Sequence, residues 1–500
     1  MAEGRLLVTG PRSGGGKTAV TVAVLAALKA RGLSVVSFKC GPDYIDPMFH
    51  RAALGVPSHN LDLYFCPPAA LAAQLAERGG GAVSVIEGAM GYYDGIGGSS
   101  RASAFEVAQA TGTPAVLVLD ARGMAASAGA LVQGFVRFRT PSGLCGVIVN
   151  QAAPTSYPLV AEAIRQAGSV PLGFLPRCPQ AAWPSRHLGL VAAAEIGGLD
   201  AAVAELARLA EEHIDLDGLL RLARTAPPLT APAPPLTPLP APASAPPPGQ
   251  SVKLAVARDE AFCFAYAETL ELFERLGCRI VFFSPLRDAA VPDCDALYLP
   301  GGYPENHTAA LSGNIALASD IRERIGRGLP TLAECGGFMY LHHDIDGAAM
   351  AGVIAGSISS TDRLQRFGYA ALTARRDNLL CRAGETLPAH EFHYCASSAP
   401  GDDFDAVKAS TQAAYRVGHA SATLYAGFPH LYLPAVPRAA ERFTDSARRF
   451  SKARLDGATA AQSSEPAAWP KTRLGGAAAD PLSSRWAVTA SPASPPKAIP

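Results

Sequence analysis

The stretch Gly10-Pro-Arg-Ser-Gly-Gly-Gly-Lys-Thr18 constrains the fold more than any other part of the chain. Before it, Arg5-Leu-Leu-Val-Thr-Gly10 has the form of a short buried strand. After it, Lys17 to Ala30 carries apolar residues at helical spacing up to a Gly32 stop. A glycine loop that leads from a strand into a helix N-terminus lets successive backbone N–H groups wrap a phosphate chain. The amides of Gly14, Gly15 and Gly16 are placed for that, with Lys17 reaching the terminal phosphates and Thr18 holding Mg²⁺. The spacing from Gly10 to Gly16 is one residue longer than the common phosphate-loop pattern.

A strand–loop–helix start of this kind commits the following segments to a parallel sheet. Leu33-Ser-Val-Val-Ser-Phe38 reads as the second strand, and Lys39-Cys-Gly-Pro-Asp-Tyr-Ile-Asp-Pro47 as a loop at its carboxyl end. Open α/β sheets bind ligands there, which makes Lys39, Asp43 and Asp46 site candidates. Val83-Ser-Val-Ile-Glu87, followed by Gly88-Ala-Met-Gly-Tyr-Tyr-Asp-Gly95, is another apolar strand ending in an acid. Glu87 suits Mg²⁺, directly or through water, and Asp94 is the second candidate. Pro114 to Asp120 and Gly146-Val-Ile-Val-Asn150 add two more strands. Asn150 either reads a purine edge or caps the next turn. Helical patterns from Leu199 to Arg224 close a doubly wound domain over residues 1–225.

Residues 226–250 are mostly Pro and Ala without periodicity, a semi-extended linker. A second alternating unit, 251–452, follows, with strands at Val252 to Val256, Arg279 to Phe283 and Ala296 to Pro300, and a helix from Tyr266 to Leu276. In Thr331-Leu-Ala-Glu-Cys-Gly-Gly-Phe-Met-Tyr-Leu341, a buried strand ends in Cys335 and turns on glycines into a helix. Such a turn displays a nucleophile, and the helix N-terminus is expected to favour the thiolate; the other reading is a buried cysteine beside a turn. In Gly301-Gly-Tyr-Pro-Glu305 the amides of Gly301 and Gly302 either face an oxyanion or only turn the chain. A cysteine nucleophile needs an imidazole, and His390, His393 and His430 are on offer without a choice from spacing. Pro437 to Phe450 is helix-like, and 453–500 is expected to be disordered.

The 500 residues balance 43 Lys plus Arg against 43 Asp plus Glu, so bulk charge points away from nucleic acid and anionic membranes and toward small-molecule partners. Apolar runs are too short to span a bilayer and the start lacks a signal-peptide pattern, so a cytoplasmic protein is expected. The 10 cysteines form no Cys-x-x-Cys pair, which argues for reduced thiols rather than zinc or disulfides.

With the phosphate loop, Gly-Pro-Asp-Tyr-Ile-Asp-Pro, Ile-Glu-Gly-Ala-Met-Gly-Tyr-Tyr-Asp-Gly, Pro-Gly-Gly-Tyr-Pro-Glu and Ala-Glu-Cys-Gly-Gly-Phe-Met-Tyr-Leu in this order, the chain resembles the cobyrinic or hydrogenobyrinic acid a,c-diamide synthase family from about residue 5 to about 450. The resemblance implies a dethiobiotin-synthetase-like phosphate-loop domain followed by a class I glutamine amidotransferase-like α/β domain. It implies ATP and glutamine as substrates, Mg²⁺ as cofactor and a corrin as acceptor, and it allows a homodimer. Carried over by position, Gly14 to Gly16, Lys17 and Thr18 would hold ATP and Mg²⁺, with Asp43, Asp46, Glu87 and Asp94 among the functional acids. Tyr44 and Ile45 would influence which carboxylate is presented. Cys335 matches the nucleophile and His430 the catalytic histidine. The residues ahead of His430, Ala-Gly-Phe-Pro, depart from the family's usual Ala-Ser-Tyr, and residue 432 is Tyr where many thiol amidotransferases carry Glu, so the resemblance implies a dyad. Two other readings stand beside it: a relative acting on a different tetrapyrrole such as nickel sirohydrochlorin, and a phosphate-loop switch or partitioning ATPase whose second domain only binds a partner.

Overall fold

The computed structural model describes residues 4–179, 198–229 and 251–456. Strands β1 (Arg5–Thr9), β2 (Val35–Cys40), β3 (Ser58–Leu61), β4 (Val83–Glu87), β5 (Ala115–Asp120), β6 (Leu144–Asn150) and β7 (Pro171–Leu175) form one sheet in the order β3-β2-β4-β1-β5-β6-β7. Every pairing in it is parallel. β1 and β4 are buried at every position because helices cover both faces, which explains why apolar residues fill consecutive positions in Leu6-Leu7-Val8 and Val85-Ile86. The crossovers are α1 (Lys17–Ala30), α2 (Ile45–Leu54), α3 (Pro68–Gly79), α4 (Ala104–Thr111), α5 (Ala126–Phe138) and α6 (Tyr157–Gln166), and α7 (Leu199–His213) and α8 (Leu216–Arg224) close the unit. α1 is buried from Val20 to Leu28 because α7 covers the side that the sheet does not. The doubly wound sheet expected from the sequence is thus borne out.

β2 runs two residues past the expected strand end, so Lys39 is its penultimate residue and stands opposite Glu87 of β4 in register. A lysine is tolerated there because carboxylates at the ends of neighbouring elements neutralise it.

In the second unit, β8 (Val252–Ala257), β9 (Cys278–Phe283), β10 (Ala296–Leu299) and β11 (Thr331–Glu334) are parallel, crossed over by α9 (Ala267–Arg275), α10 (Thr308–Gly313) and α11 (Ile315–Gly326). α12 (Gly336–Tyr340) follows β11 directly. The chain then adds β12 (His342–Ile345), β13 (Ala348–Ala349), β14 (Ile354–Ser359), β15 (Arg366–Ala374), β16 (Thr386–His393), β17 (Ala396–Ser397), β18 (Phe404–Lys408), β19 (Ala414–Val417), β20 (His419–Ala420), β21 (Leu424–Gly427) and β22 (His430–Leu431), ending in α13 (Pro437–Leu455). β21 returns to the main sheet beside β11, in the order β20-β21-β11-β10-β8-β9. An antiparallel sheet, β19-β18-β15-β16-β22, packs beside it. α13 passes the expected end at Phe450 and takes in residues 453–455, which sequence composition assigned to the tail. Linker residues 230–250 and tail residues 457–500 lie outside the described residues. No described helix is long and apolar enough to cross a membrane, and no disulfide joins any of the ten cysteines, all of which lie among the described residues.

Candidate functional sites

The carboxyl ends of β1, β2 and β4 meet at one edge of the first sheet, and the phosphate loop lies over them. Gly14 and Gly16 hold φ of 71° and 88°, the left-handed region that the sharp bend into α1 needs. Asn150 at the end of β6 donates from Nδ2 to the Gly15 carbonyl at 3.2 Å, and a Cβ on Gly16 would stand 1.8 Å from that nitrogen. The Asn150 amide therefore braces the loop, and the next helix starts at Tyr157 without a side-chain cap.

Lys17 Nζ donates to the carbonyls of Arg12 (2.9 Å) and Met90 (2.6 Å). Burial, joined by the charge of Lys39, lowers its pKa to about 8. Thr18 Oγ1 donates to Glu87 Oε1 at 2.7 Å, and the same oxygen accepts from Lys39 Nζ at 2.8 Å. Lys39 also contacts Asp46 and stands 3.7 Å from Asp43. Burial opposes the Lys39 charge, yet the carboxylates of Asp46, Glu87 and Asp43 outweigh it and hold the pKa well above its ordinary value. Burial raises Glu87 to about 7 and Asp43 to about 6. Asp46 is partly buried, which pushes its pKa up, but Lys39 and His50 outweigh this and hold it below the ordinary range. Asp43 Oδ1 accepts from the amides of Ile45 (2.9 Å) and Asp46 (3.2 Å), which starts α2 on a tight turn. Glu87 Oε2 is buried without a hydrogen bond, 3.5 Å from His50 Nε2.

Asp94 accepts from the Gly91 amide at 3.0 Å and lines a hollow of about 400 Å³ with Pro11, Tyr92, Tyr93 and Phe135. A neighbouring hollow of about 410 Å³ is bounded by Arg12, Gly15, Asp120, Arg122 and Met124. Asp120, held low by its hydrogen bonds from Arg122, is a strand-end acid whose place at this edge sequence reading passed over. Its signal was available, since it ends β5 as Glu87 ends β4.

The second site lies at the carboxyl ends of β10 and β11. Cys335 occupies φ 45°, ψ −102°, a strained elbow between β11 and α12. Its amide donates to Gly427 O at 2.8 Å. A Cβ on Gly336 would lie 2.8 Å from the Gly302 amide nitrogen, so the elbow and the Gly301–Gly302 turn are in close contact. The His430 ring covers Gly301, where an added Cβ would meet Cε1 at 2.2 Å. His430 is paired across strands with His390. Burial, with His390 and His393 adding repulsion, lowers its pKa to about 3, and its Nδ1 is buried without a partner. Among the described residues no hydrogen bond joins the Cys335 thiol to His430.

The expected preference for the thiolate is not what this geometry gives. Burial, with Glu305 and Cys395 adding repulsion, pushes the Cys335 thiol well above its ordinary value, and the Gly336 amide opposes this only in part. A five-residue helix has too few aligned peptides to overcome that. Tyr432 donates nothing to His430; its hydroxyl accepts from Gln74 of the first unit at 2.8 Å.

Tyr44 and Ile45 follow Asp43, but the Tyr44 ring points away from the lysine–carboxylate cluster. It lies among Phe264, Tyr266 and His430 of the second unit, with Ile45 packed against the same aromatic cluster.

Among the described residues no group of three or more His, Cys, Asp or Glu is arranged to hold a metal ion. Mg²⁺ at phosphate loops takes a loop hydroxyl and one or two carboxylates, with phosphate and water oxygens completing its shell. Thr18 Oγ1, Glu87 with its unpartnered Oε2, and Asp43 offer that kind of donor set.

Residues 6–191 match the CobQ/CobB/MinD/ParA nucleotide binding domain, and residues 253–433 match the CobB/CobQ-like glutamine amidotransferase domain. The chain is 39% identical over 399 residues to a cobyrinate a,c-diamide synthase of Listeria monocytogenes, covering 78% of this chain and 86% of the relative. It is 37% identical over 480 residues to a hydrogenobyrinate a,c-diamide synthase of Streptomyces coelicolor, covering 89% and 97%. A hydrogenobyrinate a,c-diamide synthase of Thermobifida fusca is 38% identical over 454 residues, covering 88% and 96%.

Proposed function

Since the chain belongs to the family of the cobyrinate and hydrogenobyrinate a,c-diamide synthases, we propose that it converts the a and c acetate carboxylates of cobyrinic or hydrogenobyrinic acid to amides. It is an ATP-dependent carbon–nitrogen ligase with glutamine as amido donor. The observation that carries this reading is that one chain holds a phosphate loop beside a buried lysine–carboxylate cluster and, apart from it, a strained cysteine elbow against two glycines.

A carboxylate resists ammonia because its charge repels the nucleophile and oxide is a hopeless leaving group. Transfer of the γ-phosphoryl group of ATP makes an acyl phosphate, which ammonia then opens with loss of phosphate. The loop amides and Lys17 bind the phosphates; Lys39, held by Asp43 and Asp46, faces the charge that develops on transfer. Thr18, Glu87 and Asp43 would hold Mg²⁺, whose chemistry when bound is to neutralise phosphate charge.

At the elbow the thiol is protonated at rest, so neutral His430 takes its proton as sulfur attacks the glutamine amide carbon. The Gly302 amide faces the tetrahedral oxygen, with Gly301 shaping the same turn. His430 returns the proton to the leaving ammonia, and water hydrolyses the thioester to glutamate. Ten cysteines in the reduced state support a cytoplasmic setting.

The test offers cobyrinic acid, hydrogenobyrinic acid and nickel sirohydrochlorin separately, with ATP and glutamine, and counts amides by mass. Two amides on either corrin acid are expected. Cys335→Ala is expected to abolish glutamine-dependent product and keep product formed from added ammonium. Equal loss with both donors in a folded protein would sink this division of labour, and amidation of the nickel ring alone would move the substrate. A chain that hydrolyses ATP but releases no glutamate would instead be a switch ATPase.

A further inference from the structure

Tyr44 belongs by sequence to the phosphoryl-transfer unit, yet its ring forms one wall of the other site. Its centroid lies 4.9 Å from that of His430 at 41°, 4.3 Å from Tyr266 and 5.5 Å from Phe264. Tyr44 as a whole is 9% exposed. His430 needs such a wall, because its Nδ1 has no hydrogen-bond partner and the residue two places on, Tyr432, is engaged with Gln74. In a triad a carboxylate on the far ring nitrogen fixes the imidazole plane; among the described residues no hydrogen bond reaches His430 Nδ1. Two of the surfaces that flank the imidazole are the backbone at Gly301 and the ring of Tyr44.

We propose that Tyr44 is the positioning residue for His430, so that the orientation of the glutaminase imidazole is set by a side chain from the ATP-using unit. This rests on the reading of Cys335 and His430 as the glutaminase pair.

The backbone that carries Tyr44 is firmly tied. Asp43 Oδ1 accepts from the next two amides, the Asp43 carbonyl accepts from Asn60 Nδ2 at 2.7 Å, and the Tyr44 carbonyl accepts from the Met48 amide at 3.2 Å. A ring on a fixed turn is a rigid support, and a misplacement of about 1 Å at a reacting group costs on the order of 100-fold in rate. From Thr18 through Glu87, Lys39 and Asp46 to this turn, and from Tyr44 to His430, each step is a direct contact or a chain neighbour.

The test measures glutamate released from glutamine by the full chain, with kcat and KM separated. In Tyr44→Leu, kcat is expected to fall about 10- to 100-fold while KM for glutamine stays within about twofold, because the imidazole acts on protons in flight and not on bound glutamine. Tyr44→Phe, which keeps the ring, is expected to hold kcat within about twofold of the parent. Tyr266→Leu removes the ring behind Tyr44 and touches neither Cys335 nor the phosphate loop; it is expected to lower kcat in the same sense by a smaller factor. Should Tyr44→Leu fail to fold, Tyr266→Leu and Tyr44→Phe carry the test. An unchanged kcat in both Leu variants, a loss confined to KM, or a Tyr44→Phe loss as large as that of Tyr44→Leu would overturn the proposal. The glutaminase assay is run without corrin, so this failure is distinct from absence of amidated corrin, which would sink the proposed function.

Discussion

Glu334, one residue before the thiol, has both carboxylate oxygens engaged: Oε1 accepts from the Leu431 amide at 3.0 Å and Oε2 from the Tyr298 hydroxyl at 2.9 Å. Burial nevertheless raises its pKa to about 8. The folded protein therefore keeps this proton where the unfolded chain loses it, at the ordinary value of 4.5. Its contribution to stability is full below that value and is lost as pH rises toward about 8, by up to about 1.4 kcal/mol per pH unit. Glu334→Gln keeps an acceptor for Leu431 and carries no charge to bury. Urea unfolding at a series of pH values is expected to show the variant gaining on the parent as pH rises through this window; parallel curves would refute the assignment. Cys335 was legible as an elbow because the residues that make it are contiguous. The state of its proton was not, since that depends on Glu305 and on burial by distant segments. Tyr44 shows the same limit: its sequence neighbours are Asp43 and Asp46, and its spatial neighbours lie in the other unit.

Among the elements, the phosphate loop depends on Gly16 twice over: for its φ of 88° and for the space taken by Asn150. Gly16→Ala cannot keep both, so the loop must open or Asn150 must release Gly15. The expected result is loss of amidation with glutamine and with ammonium alike, survival of glutamine hydrolysis, and a stability loss of about 1–3 kcal/mol. Measuring the three together separates loop damage from global unfolding. The loop and five of the seven parallel strands of the first sheet were readable because strands buried on both faces are rich in consecutive apolar residues, and the glycines punctuate them; β3 with His59 and Asn60, and β7 with Pro171 and Gly173, give no such run. The antiparallel sheet was not readable either. In β15 the inward positions are Ala370, Leu372 and Ala374, and with Ala371 and Thr373 between them the alanines give almost no alternation signal. Only the His390 to Tyr394 stretch read as strand-like, and it falls in β16 apart from its last residue.

At the scale of the whole molecule the two units are joined by a cluster of rings, Tyr44 and Phe65 from the first with Phe264, Tyr266 and Tyr432 from the second. Around it run polar contacts: Arg78 to Glu271 at 2.5 Å, Tyr369 to Asp62 at 2.8 Å, the Asn60 amide to Glu268 at 2.9 Å, and Gln74 to Tyr432. None of this was legible, because rings scattered from residue 44 to residue 432 make no local pattern. Phe65 is the ring to remove. It stacks on Tyr432 at 5.2 Å and 13° and stands edge-on to Tyr266 and Tyr369, while touching neither Cys335 nor the lysine–carboxylate cluster. Truncating a buried Phe costs about 3–5 kcal/mol, here charged to the contact between units and not to either core. Phe65→Ala is therefore expected to split one calorimetric transition into two. It should also raise the glutamate released per amide formed above the parent ratio, because ammonia made at one site escapes when the two sites are no longer held together. A variant with a single transition and an unchanged ratio would mean that the polar contacts alone hold the units in register.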